Sequence, residues 1–187
     1  MRHHPLNSSP RSWMAYEIER KFLVRHGGWQ GATSVPIAIR QAYLARNGKA
    51  TIRVRIIDDA AATLTVKSAA AGLRRLEFEY PIPLADAAAL LELREGALIE
   101  KLRHELPQDR LVWEIDVFQG DNEGLVIAEI ELLHEDQHFE RPSWLGVEIT
   151  SDPSYSNANL AKMPFRSWSA LSRLPSGPEF LLKHARK

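Results

Sequence analysis

The 187-residue chain contains no cysteine. Disulfides and thiolate metal sites are therefore excluded, and the composition suits a reducing compartment, so a cytoplasmic location is expected. An excess of either charge is also missing: Lys plus Arg and Asp plus Glu each number 24. That balance argues for neither a nucleic-acid nor a membrane partner, and neither is expected. No apolar run reaches the length of a membrane span. Residues 1–13 are polar, hold Pro5 and Pro10, and lack the apolar segment of a signal peptide. They read as a disordered extension, with Met14 a candidate natural start just ahead of the first strand. No Gly-x-x-x-x-Gly-Lys loop occurs, so a phosphate site would have to be built from side chains. No Gly-x-Ser-x-Gly context surrounds the serines, which argues against a serine nucleophile. The seven histidines are scattered, and His3-His4 falls in the extension, so metal ligation by imidazole is not expected.

What the chain does have is strand rhythm. Apolar and polar residues alternate over 16–24, 37–46, 50–57, 62–68, 74–82, 97–106, 110–118, 125–133 and 147–150. Asn47-Gly48, Asp58-Asp59 and residues 120–124 supply turns. The period changes at the Ala/Leu-rich residues 84–93, which predict a helix of about two to three turns. Further helices are expected at 134–140, 156–161 and 165–174. Trp29, Trp113, Trp144 and Trp168 read as packing residues. Counted together as about eight strands in hairpin succession with few helices, the elements predict a mainly β (α+β) fold, one antiparallel sheet or barrel. One domain over 14–161 is expected, followed by a C-terminal helix and tail over 162–187.

The polar faces of these strands carry like charges two by two. The acidic members are Glu17 and Glu19, Glu77 and Glu79, Glu114 and Asp116, and Glu129 and Glu131. The basic members are Lys21, Arg53 and Arg55, Lys67, Arg75, and Lys101 and Arg103. Any one pair can belong to an ordinary solvated surface. Their recurrence on strand after strand disfavours that reading, because solvated faces usually intersperse the signs among Thr, Ser and Gln. Two carboxylates about 5 Å apart repel by roughly 3 kcal/mol at an effective dielectric near 20, a cost that water largely screens. Enclosed, they must take up protons or hold a hard cation such as Mg2+ or Mn2+. Paired Lys and Arg ask for the converse, a polyanion with phosphate oxygens. Periodicity does not say which face lies inside. If the charged face lines a barrel, its ligand is a polyphosphate complexed with divalent metal, and the apolar outer face needs cover from helices or a second subunit.

These residues resemble a known family. Glu17-Ile18-Glu19-Arg20-Lys21 has the Glu-x-Glu-x-Lys form that opens the CYTH domains, also called triphosphate tunnel metalloenzymes. Further elements keep the family's order: Gln41-Ala42-Tyr43-Leu44, Arg53-Val54-Arg55, Thr65-Val66-Lys67, Arg75-Leu76-Glu77-Phe78-Glu79 and Glu100-Lys101-Leu102-Arg103. Trp113-Glu114-Ile115-Asp116-Val117-Phe118, Ala128-Glu129-Ile130-Glu131 and Trp144-Leu145-Gly146-Val147-Glu148-Ile149-Thr150 follow. The opening motif alone is weak; the ordered series over 14–161 is specific. The resemblance implies an eight-stranded antiparallel closed tunnel with a charged lumen and a few covering helices. By matching position it implies Glu17, Glu19, Asp116, Glu129 and Glu131 as ligands of Mg2+ or Mn2+. It likewise implies Lys21, Arg53, Arg55, Lys67, Arg75, Lys101 and Arg103 as phosphate binders. Glu77, Glu79, Glu114 and Glu148 are expected to face the same lumen, and the family's dimers imply a homodimer.

The chain most resembles the short bacterial members, several of which are inorganic tripolyphosphatases. The implied activity is metal-dependent hydrolysis of a triphosphate, most simply tripolyphosphate to pyrophosphate and phosphate. Glu17, Glu131 and Lys101 are the expected catalytic residues, the carboxylates through metal and attacking water, the lysine through the choice of phosphate cleaved. Thiamine triphosphatase or class IV adenylyl cyclase activity is the alternative within the same tunnel. A non-catalytic polyphosphate-binding module is the alternative outside enzymes. A cyclase must seat a base, for which no distinct aromatic or amide pocket stands out, and the intact carboxylate pairs favour catalysis.

Overall fold

The computed structural model describes residues 18–32, 35–68 and 76–169. Nine strands form a single sheet. They are β1 (Ile18–Val24), β2 (Ile37–Arg46), β3 (Ala50–Ile57), β4 (Ala61–Ser68), β5 (Glu77–Pro81), β6 (Ile99–Gln108), β7 (Leu111–Gln119), β8 (Val126–Leu132) and β9 (Leu145–Glu148). Two α-helices join them, α1 (Leu84–Glu92) and α2 (Asn157–Lys162). The spatial order is β5-β4-β3-β2-β6-β7-β8-β1-β9, every neighbouring pair antiparallel. Turn chemistry sets the hairpins. The Asn47 side-chain carbonyl accepts the N–H groups of Lys49 and Ala50 between β2 and β3. Asp58 and Asp59 both take φ of 50° between β3 and β4, a left-handed region that Asp tolerates better than most residues.

The sheet has nine strands rather than the expected eight, and it is not closed. Among the described residues β5 pairs only with β4, and β9 only with β1. β9 is short, and its register against β1 shifts between Phe22 and Val24. The sheet is curled nonetheless. Leu23 on β1 and Tyr43 on β2 pack against one core cluster, although β8, β7 and β6 lie between those strands. At about 4.8 Å per step, a flat sheet would hold them roughly 19 Å apart.

Alternation gives the sheet one apolar face, covered in two places. Phe22, Trp113, Ile115, Ala128 and Ile130 pack against Trp29, Phe139, Trp144 and Leu145. Ala42, Val54, Ile56 and Ala62 pack against Ala87 and Leu91 of α1, whose i, i+4 spacing brings both to one side of the helix. The expected helix at 134–140 is instead turns and irregular chain. That segment has one large apolar anchor, not the stripe a helix needs. Phe139 meets Phe22 and Trp113 edge-on at centroid distances of 6.1 and 5.7 Å. The helix expected at 165–174 is a 3-10 turn, Phe165–Ser167, in its described part. Its remainder, the tail and the N-terminal extension lie outside the described residues. No described helix is long and apolar enough to cross a membrane.

Candidate active site

Cross-strand register sorts the charges of the inner face. On one side Glu19 stands opposite Glu131 and Lys21 opposite Glu129, across β1 and β8. Glu129 also faces Glu114 of β7, and Asp116 faces Arg103 of β6. On the other side Arg53 lies between Tyr43 and Thr65, and Arg55 between Gln41 and Thr63, across β2, β3 and β4. Glu77 and Glu79 of β5 stand opposite Lys67 and Thr65.

In the acidic wall, Lys21 Nζ bridges Glu19, at 2.7 Å, and Glu129. Burial, reinforced by repulsion from Glu129, pushes the Glu19 carboxyl up to about 8 against the pull of Lys21. Glu129 moves the opposite way. Burial would raise it, but Lys21, Lys101 and Arg103 hold its carboxyl well below the usual range. The two carboxyls are thus driven apart, Glu19 toward holding a proton and Glu129 toward the charged form. Glu131 is exposed. Asp116 is wholly buried and accepts two bonds of 2.7 Å from Arg103 as well as one from Lys101. It is thus matched by two cations, one of which, Arg103, it shares with Glu129. Arg103 also reaches Glu129 at 3.2 Å and pairs with Glu114. Burial pulls the Lys101 ammonium down while Asp116 pulls back, and its Nζ lies 5.6 Å from the centre of the Phe118 ring.

The basic wall is less well matched. Arg53 donates to Thr65 at 3.0 Å and lies 3.6 Å from Glu79 and 3.8 Å from Glu77. Lys67 pairs with Glu77 at 2.9 Å. Arg55 has no carboxylate within ion-pair reach among the described residues; its Nε donates to Gln41 Oε1 at 3.0 Å. Burial, then crowding by Arg53 and Arg103, presses the Arg55 pKa down to about 10. A buried cation hemmed in by cations favours an incoming anion.

At one end the inner face turns apolar. Leu23, Tyr43, Ile99, Phe118 and Ile127 cluster with Tyr155, Leu160 and Ala161, so α2 and the turn before it form a floor. Ser156 caps α2 by accepting from the N–H of Asn159. Gly96, at φ 83°, lets Ala97 donate to the Ala161 carbonyl at 2.7 Å. A Cβ at Gly96 would sit 2.5 Å from that oxygen. Lys101 stands directly opposite Phe118, where polar lining meets the floor.

Of the residues singled out from the sequence, Glu19, Lys21, Arg53, Arg55, Lys67, Lys101, Arg103, Asp116, Glu129 and Glu131 share this face. Glu17 and Arg75 lie outside the described residues. Glu77, Glu79 and Glu114 share the face as well; Glu148 does not. It stands opposite Phe22 on the apolar side, where Arg20 Nε donates to it at 2.8 Å and the Thr150 hydroxyl at 2.9 Å. Gln41, Tyr43, Thr63 and Thr65 also line the face. Being uncharged, they escape a search for like-charge pairs, although Gln41, Tyr43 and Thr65 fall within family motifs.

Among the described residues no three carboxylate or imidazole groups converge within metal-binding reach. The donors of β1 and β8 are nonetheless all carboxylate oxygens, which suit a hard divalent cation. Glu19, kept protonated beside Glu129, is a carboxyl that such a cation would relieve, so the residues present fit the group.

Known proteins share both the sequence and the fold. The inorganic triphosphatase of Acetivibrio thermocellus is 43% identical over 156 residues, covering 83% of this chain and 99% of that protein. That of Nitrosomonas europaea is 36% identical over 149 residues, covering 78% of this chain and 96% of that protein. A solved structure of an inorganic triphosphatase, 33% identical, superposes with a TM-score of 0.61 over 80% of this chain and 97% of that one. The CYTH domain matches residues 15–162, a span that takes in every described strand, and the chain belongs to that family.

Proposed function

We propose that this protein is a divalent-metal-dependent triphosphatase that converts inorganic tripolyphosphate to pyrophosphate and phosphate. The activity of the relatives supports the reading. The observation that carries it is the sorted inner face: carboxylates on β1, β7 and β8 look toward cations on β3, β4 and β6, and Arg55 among them has no carboxylate partner among the described residues.

Lys21, Arg53, Arg55, Lys67, Arg75, Lys101 and Arg103 take the phosphate oxygens, Arg through paired N–H donors. Excluded from water, their charge counts for more against the charge building on the transferred phosphoryl group and the pyrophosphate leaving group. Glu17, Glu19, Glu129 and Glu131 are the residues that would hold Mg2+ or Mn2+, which when bound supplies charge neutralisation and an activated water. Asp116, expected among those ligands, also fixes Lys101 and Arg103, both of which it binds. Lys21, bonded to Glu19 and Glu129, is placed to turn to a phosphate oxygen. Lys101 lies deepest, above the floor, and there governs which phosphate is cleaved. A site with an apolar floor favours a short, bare triphosphate over a long chain threaded through. A cytoplasmic homodimer completes the proposal: Phe78 and Tyr80 on edge strand β5 and the nearby Leu84 are exposed, an apolar surface that a second subunit would cover.

The test is product analysis with tripolyphosphate and Mg2+, Mn2+ or a chelator. Equimolar pyrophosphate and phosphate, formed only with metal, is the expected result. Tripolyphosphate left intact with either metal would refute the activity.

A further inference from the structure

Most charged groups of the inner face pair with one another, but the row around Arg55 on β2, β3 and β4 does not. Gln41, Arg55 and Thr63 lie side by side across these strands. Gln41 is fully buried, between Arg55 on β3 and Ile99 on β6. Its amide orientation is decided by its neighbour. Arg55 has only donors to offer, so the Gln41 atom that meets Arg55 Nε must be the carbonyl oxygen. The amide nitrogen is thereby turned away from Arg55, and among the described residues it has no hydrogen-bond partner. Thr63 Oγ1 and Arg53 Nε, on the same face, are also buried without a partner among the described residues. Burying unpaired polar atoms is costly, and here three belong to Arg55's neighbours on the face, Arg55 itself having no carboxylate partner among the described residues. All three can donate a hydrogen bond, and Gln41 Nε2 and Arg53 Nε can do nothing else. A ligand that meets them has to be rich in acceptors.

We propose that Gln41 is a further substrate-binding residue: its carbonyl orients Arg55 while its amide nitrogen donates to a phosphate oxygen beside the Arg55 guanidinium, with the Thr63 hydroxyl completing the seat. This rests on the reading of the inner face as a triphosphate site. The neutral donor has a use that a further Lys or Arg would not. It adds a hydrogen bond to the anion without adding to the repulsion already pressing on Arg55.

Three variants separate this role from a structural one. Gln41→Leu removes both acceptor and donor. Gln41→Glu keeps the acceptor for Arg55 and replaces only the donor, setting a negative charge against the substrate. Thr63→Val removes a hydroxyl at nearly constant shape. In Mg2+-dependent tripolyphosphate hydrolysis, KM should rise about tenfold in Gln41→Leu with little change in kcat, the usual worth of a hydrogen bond to a charged group. Gln41→Glu should be worse, by about a further tenfold. Thr63→Val should raise KM severalfold. Calorimetric binding of metal-free tripolyphosphate should weaken in the same order. If Gln41 only supports Arg55, Gln41→Leu will change neither KM nor affinity further once Arg55 is itself replaced (Arg55→Leu); that result, or a Gln41→Glu that matches the wild type, overturns the proposal. Should Gln41→Glu fail to fold, an unchanged KM and affinity in Thr63→Val would overturn it. A wild type that neither binds nor hydrolyses tripolyphosphate defeats the functional reading and this inference together; a wild type that does both, beside an unaffected Gln41→Glu, defeats this inference alone.

Discussion

Glu19 and Glu129 are the same kind of side chain on adjacent strands, joined to the same lysine, and their surroundings drive them apart. Glu19 is pushed up to about 8, chiefly by burial and then by Glu129, whereas three cations outweigh burial at Glu129. The sign of the linkage follows. Between its ordinary value of 4.5 and about 8, Glu19 holds a proton when folded and releases it on unfolding. The unfolded chain binds fewer protons, so metal-free stability falls as pH rises across that window. Glu19→Gln, which never ionises, should remove this slope. Denaturant titrations of metal-free protein at intervals from pH 5 to 8 would check it, and parallel wild-type and variant curves would contradict it. Glu131 offers a cleaner probe of the metal. It is exposed, so Glu131→Gln should leave stability within about 0.5 kcal/mol while lowering Mg2+-dependent turnover by about a hundredfold or more. Near-normal turnover in that variant would sink the metal assignment. At this scale, alternation in the sequence said which charges share a face within a strand. It did not say which face β9 turns inward, because the ladder to β1 shifts register between Phe22 and Val24. Glu148 was accordingly misplaced. Nor does sequence reveal that Asp116 is shared by two cations, which depends on side-chain reach across β6 and β7.

Among the elements, strands were the readiest to see. Period-two alternation held over β2, β3, β4 and β7 because one side of each packs on apolar cover and the other faces charge. The helix expected at 134–140 failed because a run of polar residues with one aromatic has no helical stripe to bury, and Phe139 alone docks on the core. The floor was not legible at all. Leu23, Ile99, Phe118 and Ile127 continue the inner side of their strands, yet in sequence they look like any core residues. Only α2, seated against them, shows where the polar lining ends. The joint between α2 and the start of β6 depends on Gly96, which combines φ of 83° with close approach to the Ala161 carbonyl. Gly96→Ala should cost about 1–3 kcal/mol of stability. Equilibrium denaturation would measure it, and an unchanged midpoint would show that the joint tolerates a side chain.

For the whole molecule, the open and closed readings of the sheet differ in one place, the unpaired edges of β5 and β9. The curl that brings Leu23 and Tyr43 to one cluster does not need those edges to meet. It needs only that the charged face be concave and the apolar face covered, which α1 and residues 134–145 accomplish. Like charges two by two disfavoured an ordinary surface, but periodicity left open which face lies inside, and the charged lumen was implied by the family resemblance. Nothing in the sequence showed that β9 would be a four-residue strand at an open edge. The central claim is that this interior selects a bare triphosphate. The most direct measurement is kcat/KM for tripolyphosphate, ATP, thiamine triphosphate and pyrophosphate, side by side with Mg2+ and with Mn2+. The account predicts that tripolyphosphate leads by at least about tenfold, a difference of about 1.4 kcal/mol in transition-state binding. Equal or greater efficiency on ATP or thiamine triphosphate, or none on tripolyphosphate, would contradict it.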